Sequence, residues 1–227
     1  MTDDRVAVLD GIAAQVRICT LCDLYKGRNN AVPGAGDYQA EILFIGEGPG
    51  FYEDQKGLPF VGRSGDYLEK MLALIGYTRD QVFITNVVKC RPPENRDPLP
   101  DEITACKPYL DSQETTMNPL LIATLGRFSM NRYFPGGKIT QLHGKPRIDE
   151  VAQRAYMPLF HPAAVLRNPT LEPQMQAAFK SIPALLEKIR QMRSGASPAT
   201  SSSGGSTPPP STPPPSKDEK PKQLSLF

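Results

Sequence analysis

Short, continuous apolar runs separated by helical patterns are the feature of this sequence that most constrains its fold. Three such runs lie at residues 42–45, 82–85 and 120–123, and they contain little besides Ile, Leu, Phe and Val. Runs of this kind are typical of parallel strands, whose two faces are both covered by helices. With a fourth strand expected near residues 156–160, the sequence predicts an α/β fold with three α/β/α layers and a mainly parallel four-stranded central sheet.

The segments between these runs carry the apolar spacing of three and four residues that is typical of amphipathic helices. The predicted helices are an N-terminal one that ends near Cys19, one capped by Ser64 and closed by Gly76, and others at residues 100–112, 126–133 and 172–193. Ligands of such sheets bind beyond the carboxyl ends of the strands. We therefore expect the functional site just after Ile45, Thr85 and Phe160.

The last part of the sequence has a composition that excludes a packed core. Residues 194–216 consist only of Ser, Gly, Ala, Pro and Thr, and such a segment has too little apolar surface to offset the entropy of ordering it. The sequence thus predicts one folded domain at residues 1–194, a disordered linker rich in Ser, Pro and Gly at residues 195–222, and a short motif at residues 223–227.

Charge and hydropathy exclude further classes of function. The 26 Lys and Arg residues nearly balance the 24 Asp and Glu residues, so any binding of nucleic acid must depend on a local patch and on shape rather than on the overall field. No stretch approaches the roughly 18 apolar residues of a membrane helix, and residues 1–10 lack the layout of a signal peptide. We expect a cytoplasmic protein without membrane contact.

All four cysteines of the chain belong to one pattern. Cys19 and Cys22 form a closely spaced pair, and Cys90 and Cys106 follow far downstream. Disulfides are rare in cytosolic proteins, so the pattern favours a site of four metal-bound thiolates. Such a site suits a [4Fe-4S] cluster or tetrahedral zinc. We prefer the cluster because a zinc ribbon usually has two CxxC pairs; zinc and unliganded buried thiols remain the alternatives.

Residues capable of binding or catalysis follow the predicted strands. Glu47 lies in a Gly- and Pro-rich turn after the first strand, Phe60 lies in the next loop, and Asn86 and His161 follow two other strands. Each has a structural alternative, namely a surface carboxylate, a core aromatic or a strand-end cap. Because the carboxyl ends of parallel strands meet at one edge of a sheet, we expect these residues to converge. His143 is expected to be structural or exposed.

Four segments of the sequence form a specific combination. They are Gly46-Glu47-Gly48-Pro49-Gly50, Leu58-Pro59-Phe60-Val61-Gly62, Thr85-Asn86-Val87-Val88-Lys89-Cys90-Arg91-Pro92-Pro93 and His161-Pro162-Ala163-Ala164. With the four-cysteine spacing, they resemble the family 4 uracil-DNA glycosylases, the iron–sulfur branch of that superfamily. The resemblance covers nearly all of residues 1–190. It implies a monofunctional enzyme that excises uracil from DNA and thereby initiates base excision repair.

The resemblance also implies a role for each residue of the expected site. Glu47 and His161 would be catalytic, Glu47 orienting water or stabilising the sugar cation and His161 stabilising the departing base at uracil O2. Phe60 would stack on the extruded base, and Asn86 would hydrogen-bond to its pairing edge. Backbone N–H groups around Gly48 would approach the base closely because no bulky side chain intervenes.

Further roles follow from the resemblance for residues around this set. Glu53 and Asp54 are the alternative carboxylates for the catalytic role assigned to Glu47. In the segment after the His-Pro pair, Val165 or Leu166 is expected to enter the duplex, with Arg167 near a phosphate. These residues complete the expected contact with DNA, whether it is single- or double-stranded.

The expected cluster is structural, since excision of uracil needs no electron transfer. Lys89, Arg91 and Arg96 surround it and are interpreted either as phosphate contacts or as a solvated charge cluster. The segment after Gly62 lacks the basic insertion of a related branch that traps its product covalently. We therefore expect ordinary turnover.

The final residues resemble the peptide by which bacterial repair and replication proteins bind the sliding clamp. In that resemblance, Leu224, Leu226 and Phe227 are apolar anchors and Gln223 sets the register. The linker before them would reach roughly 30 Å as a flexible coil. The alternative is that Leu226 and Phe227 fold back onto the domain.

The sequence as a whole predicts a monomeric, nucleoid-associated uracil-DNA glycosylase that is tethered to the bacterial clamp. Two other interpretations remain open. One is a clamp-tethered, DNA-binding iron–sulfur adaptor without catalysis, and the other is a zinc-stabilised nucleotide-binding protein.

Overall fold

A six-stranded sheet organises the chain in the computed structural model, which describes residues 2–195 and their side chains from residue 4 onward. The strands are β1 (Ala35–Gly36), β2 (Ile42–Gly46), β3 (Phe83–Asn86), β4 (Leu121–Leu125), β5 (Arg147–Asp149) and β6 (Arg154–Leu159). Their order across the sheet is β1-β3-β2-β4-β6-β5. The four central strands are parallel, as predicted, whereas the antiparallel edge strands β1 and β5 were not predicted.

Eight helices connect and cover these strands in the described part of the chain. They are α1 (Thr2–Ile18), α2 (Phe51–Lys56), α3 (Arg63–Ala73), α4 (Pro100–Met117), α5 (Arg127–Tyr133), α6 (Ile139–Leu142), α7 (Pro162–Arg167) and α8 (Glu172–Ser194). Short 3-10 turns lie at Asp23–Lys26, Arg79–Gln81, Pro93–Asn95 and Pro169–Leu171. None of the helices seen within residues 2–195 has the length and apolar character needed to cross a membrane.

The predicted helix positions are confirmed, with two differences in detail. Ser64 does not cap α3, because that helix starts at Arg63 with Gly62 in the capping position and no side-chain cap bond. Helix α4 continues to Met117, five residues beyond the predicted end. The short helices α2, α6 and α7 were not predicted, since each is too short to show a full apolar period.

Both faces of the sheet are buried, which confirms the inference from the apolar runs. Along β2, Ile42 and Phe44 face one core cluster, and Leu43 and Ile45 face the other. Helix α8 packs on the first face, where Phe179 stacks on Phe44 at 6.0 Å between ring centroids. Helices α1 and α4 cover the second face. The three predicted α/β/α layers are therefore present.

The register of the parallel strands brings their carboxyl ends to one level. Gly46 of β2 pairs with Asn86 of β3, and Leu125 of β4 pairs with Leu159 of β6. The loops after all four strands consequently open on the same edge of the sheet. Of the predicted linker at residues 195–222, all but residue 195 lies outside the described residues, as does the motif at residues 223–227.

Candidate active site

A cleft of about 690 Å³ opens beyond the carboxyl ends of the four parallel strands. The residues predicted for catalysis and base binding all line it: Glu47, Gly48, Phe60, Asn86 and His161. They come from the loops after β2, β3 and β6 and from the segment before α3. The structure therefore brings this predicted set together, and Arg127 joins it from the start of α5.

Glu47 is half-buried at the floor of the cleft, against the start of α5. Its Oε1 accepts a hydrogen bond from the backbone N–H of Phe128 at 3.4 Å. Burial raises the pKa of Glu47, and backbone hydrogen bonds from Phe128 and Arg127 oppose that rise. The carboxylate is thus held by N–H groups and partly withdrawn from water.

Gly126 makes the position of Glu47 possible. Its φ of +101° lies in a region that favours glycine, and a Cβ added there would lie 2.4 Å from Oε1 of Glu47. No side chain larger than hydrogen fits between β4 and this carboxylate. From the sequence, Gly126 was predicted only as the start of a helix, because nothing in the sequence links it to Glu47.

Asn86 ends β3 with its side chain buried in the wall of the cleft. The residue is 2% exposed, and its Oδ1 has no hydrogen-bond partner. A Cβ on Gly46 would lie 2.3 Å from this oxygen, so the neighbouring strand offers it space but no donor. A buried polar atom without a partner in the protein is costly, and at a cleft wall it is available to accept a hydrogen bond from a ligand.

Phe60 packs beside His161 with its backbone in an unusual conformation. Its φ is +50° and the ring centroids of the two residues are 5.6 Å apart. Arg79 donates to the carbonyl oxygens of Pro59 and Phe60, the latter at 2.7 Å. Gly65 allows the same carbonyl to approach, since a Cβ there would lie 1.9 Å from it. The loop that carries the ring is therefore held by groups that no motif indicated.

His161 is a neutral hydrogen-bond donor facing the cleft. Its Nδ1 accepts from the backbone N–H of Ala163 at 3.1 Å, so the proton of the neutral ring is on Nε2. Burial, with a further contribution from Arg167, lowers the pKa of His161 to about 4. The second histidine, His143, accepts from the backbone N–H of Phe160 at 3.0 Å and stacks on its ring; its predicted structural role is confirmed.

The other two candidate carboxylates differ in position. Glu53 lines the cleft, but its Oε1 accepts from the backbone N–H of Val61 at 3.2 Å and so supports the loop around Phe60. Asp54 is fully buried and binds the backbone N–H of Asn29 at 2.9 Å. Asp54 points away from the cleft, so the prediction of a catalytic alternative there is wrong.

The residues predicted to contact DNA after the His-Pro pair differ in their exposure. Val165 is 2% exposed and belongs to the core, so the prediction that it enters the duplex is wrong. Leu166 is 44% exposed on the same helix, α7. Arg167 is exposed and lines the cleft. Of the two apolar residues predicted to enter the duplex, only Leu166 is exposed.

The three basic residues near the cysteines have separate surroundings. Lys89 is 1% exposed, so its predicted contact with phosphate is wrong. Arg91 lies over the ring of Phe51 at 5.1 Å. Arg96 lines the cleft and pairs with Glu102 at 2.6 Å.

All four cysteines line one pocket on the α1 side of the sheet. Cys106 Sγ accepts from the backbone N–H of Lys89 at 3.2 Å, and Cys90 Sγ accepts from Arg28 at 3.1 Å. Burial raises the pKa of Cys90 and raises that of Cys106 to about 11. Within the described residues, no three His, Cys, Asp or Glu side chains are arranged to hold a single metal ion.

Comparison with known proteins identifies the family. A sequence model described as the uracil DNA glycosylase superfamily matches residues 33–189. A type-4 uracil-DNA glycosylase from Sulfurisphaera tokodaii is 47% identical over 182 residues, which are 77% of this chain and 83% of the relative. The chain belongs to the type-4 family of uracil-DNA glycosylases. The resemblance stated from the sequence motifs is thereby confirmed.

Two further members of the type-4 family show the extent of this similarity. The proteins of that name from Archaeoglobus fulgidus and Thermotoga maritima are 43% and 42% identical to the chain. The matches cover 79% and 72% of this chain and 94% and 86% of the two relatives. The folded domain, rather than one motif, is therefore shared.

A substitution at Gly126 tests how Glu47 is positioned. We expect Gly126→Ala to displace the Glu47 carboxylate by about 1 Å, because the new Cβ must retreat from 2.4 Å to ordinary contact beyond 3.4 Å. The matched control is Gly76→Ala, which has a φ of +77° but nothing within 4 Å of the new Cβ. Crystal structures of both variants measure the shift, and an unmoved Glu47 in Gly126→Ala would contradict the assignment.

Proposed function

We propose that the protein hydrolyses the N-glycosidic bond of deoxyuridine in DNA and so initiates base excision repair, as its membership of the type-4 family supports. The observation that carries the proposal is the buried Asn86 amide with its unpartnered Oδ1, facing a cleft that also contains Phe60 and neutral His161. An enzyme that acts on a base in DNA must take the base out of the stack and bind its pairing edge. This cleft has the groups needed to do so.

Asn86 and Phe60 account for the choice of base. The Asn86 carbonyl oxygen accepts from uracil N3–H, and the amide N–H₂ donates to O4. Cytosine presents the opposite pattern at these two positions, so it leaves the buried amide unpaired. The Phe60 ring stacks on the base, a contact worth roughly 1–3 kcal/mol.

His161 and Glu47 act on opposite sides of the bond that breaks. Negative charge develops on uracil O2 as the base departs, and the Nε2–H of His161 donates to that oxygen. A neutral imidazole suits this role because its proton remains a hydrogen-bond donor without being lost to the base. Glu47 stabilises the positive charge on the sugar or orients the attacking water. Leu166 and Arg167, at the rim, contact the flanking DNA.

Excision of uracil and its pH dependence test the proposal. We expect the wild-type protein to leave alkali-labile sites in a uracil-containing oligonucleotide, and Glu47→Gln to lower kcat by about 100-fold or more. Because burial raises the pKa of Glu47, kcat/KM rises as that carboxyl deprotonates at a pH above the usual glutamate range. The Glu47→Gln variant lacks this acid limb.

The control is Glu53→Gln, which changes a second carboxylate of the same cleft. This variant should retain the acid limb of the pH profile of kcat/KM. A folded wild-type protein that binds DNA without excising uracil would favour the non-catalytic adaptor instead. Glu47→Gln activity equal to that of the wild type would remove the role assigned to this residue.

We also propose that the four cysteines hold a [4Fe-4S] cluster with a structural role. Support comes from the four thiols around one pocket and from the N–H groups of Arg28 and Lys89 that donate to two of the sulfurs. Such donors stabilise thiolate ligands and are common around these clusters. The cluster would join α1, the turn after it and α4. Zinc is the second candidate for the same ligands, although a single ion would need the four sulfurs closer together than they lie among the described residues.

Metal analysis of anaerobically purified protein separates these candidates. We expect a brown protein that contains iron and acid-labile sulfide in equal amounts, and a Cys90→Ala variant that loses both and unfolds at a lower temperature. A colourless protein that contains zinc would establish the alternative. A Cys90→Ala variant with unchanged stability would show that the cysteines have no structural role.

A further proposal concerns residues 223–227, which we infer to be a peptide that binds the bacterial sliding clamp. It rests on the resemblance of Gln223, Leu224, Leu226 and Phe227 to that peptide. Docking through this peptide would keep a monomeric enzyme at the replicating chromosome of the cytoplasm while it searches DNA.

Deletion of residues 223–227 tests the clamp proposal. The truncated chain should keep its excision rate on short oligonucleotides and lose capture by immobilised clamp, because the anchors are gone but the domain is intact. The Lys222→Ala variant, changed just outside the peptide, should still be captured. Clamp binding by the truncated chain would refute the assignment.

A further inference from the structure

Lys89 is a buried cation that the proposed chemistry does not use. Its side chain is among the largest fully buried ones in the described part of the chain. No carboxylate within residues 4–195 forms an ion pair with its Nζ, although ten other ion pairs occur there. Burying an ammonium group is expensive, and an apolar side chain of the same length would fill the space at lower cost. Packing alone therefore does not explain a lysine here.

The ammonium group has a complete set of hydrogen-bond acceptors. Nζ donates to Thr85 Oγ1 at 2.5 Å, to the backbone carbonyl oxygen of Asn86 at 2.9 Å and to Gln113 Oε1 at 2.8 Å. An ammonium group has three hydrogens to donate, so its capacity is filled. Two of the three acceptors belong to the last two residues of β3. The side chain of Lys89 thus folds back onto the end of β3, the strand that precedes it.

The contact with Asn86 bears directly on the cleft. After β3, the N–H groups of Val87 and Val88 donate to the carbonyls of Gly46 and Glu47, which attaches the turn to β2. Lys89 binds the Asn86 carbonyl and so holds the same turn at a further point. The Asn86 side-chain oxygen has no partner of its own. Its direction therefore depends on how firmly the backbone of Asn86 is held.

Lys89 also reaches the cysteine pocket. Its backbone N–H donates to Cys106 Sγ at 3.2 Å, and Cys90 follows it in the chain. One residue therefore contacts both the end of β3 and the cysteines. A displacement of the cysteine pocket would be transmitted to Asn86 through this residue.

We propose that Lys89 is a positioning residue for base recognition. Its ammonium group holds the Asn86 carbonyl so that the Asn86 amide faces the cleft, and its backbone N–H connects that arrangement to the cysteine pocket. The inference rests on the proposed excision of uracil. It assigns to Lys89 a role in base selectivity rather than in contact with DNA.

The test compares binding of DNA with and without the base. Affinities of the full chain are measured for duplexes that carry either 2′-fluoro-2′-deoxyuridine, which retains uracil and resists hydrolysis, or a tetrahydrofuran abasic analogue. We expect Lys89→Met to weaken binding to the uracil duplex by roughly tenfold, the effect of losing about one hydrogen bond between Asn86 and the base. Its affinity for the abasic duplex should stay unchanged. Lys188→Met, on the exposed side of α8, is the matched control and should alter neither.

A second variant keeps the lysine in place. Thr85→Val removes one acceptor from Nζ, and we expect the same selective loss of uracil binding with a smaller magnitude. If Lys89→Met does not fold, the result for Thr85→Val decides the proposal. Metal content and melting temperature are recorded for every variant, so that loss of the cysteine site is recognised.

The outcomes separate the two levels of the inference. Equal loss of affinity for both duplexes would show that Lys89 is merely structural, and unchanged affinity for both would show that Asn86 does not depend on it; either result overturns the proposal. Wild-type protein that fails to excise uracil would instead refute the proposed function, whatever the variants do.

Discussion

The in-register pairing of β2 with β3 and β4 is the constraint on which the rest of the structure depends. It places Gly46 beside Asn86 and Ile45 beside Thr124, so that the loops after three strands start at one level. A slip of one residue would turn Asn86 to the opposite face of the sheet. A slip of two residues would keep Asn86 on the same face of the sheet. It would, however, move Asn86 by about 7 Å along the strand, beyond hydrogen-bonding distance of its present neighbours. The apolar faces that fix the register therefore also fix the geometry of the cleft.

Glycines immediately behind the functional side chains are the second recurring device. Gly46 lies against Asn86, Gly65 against the Phe60 carbonyl and Gly126 against Glu47, and a Cβ on any of the three would meet its neighbour at less than 3.0 Å. Each functional group thus lies directly on backbone, which moves less than a side chain does. Close approach of main chain thus contributes to the precision of the cleft, together with the polar side chains of Arg79, Glu53 and Lys89 that bind its loops.

Local signals were enough to predict the central sheet, because a strand buried on both faces is apolar along its whole length. The edge strands escaped prediction since they have only two and three residues and depend on their neighbours. Motifs identified the residues of the cleft but not the direction of the side chains near them. Lys89 and Val165 were therefore wrongly predicted to be exposed. Gly126 and Arg79 were missed because they act on residues far away in sequence, which no local pattern reveals.

The unpaired oxygen of Asn86 has a consequence for how the cleft would discriminate between bases. A buried acceptor that is left without a donor costs roughly 1–3 kcal/mol, so under the proposed function a bound base that offers Oδ1 no hydrogen is held more weakly by about that amount. In that proposal, a base with the wrong hydrogen-bonding edge leaves this atom unpaired and dissociates quickly. Rejection by such a pocket is a matter of residence time more than of exclusion.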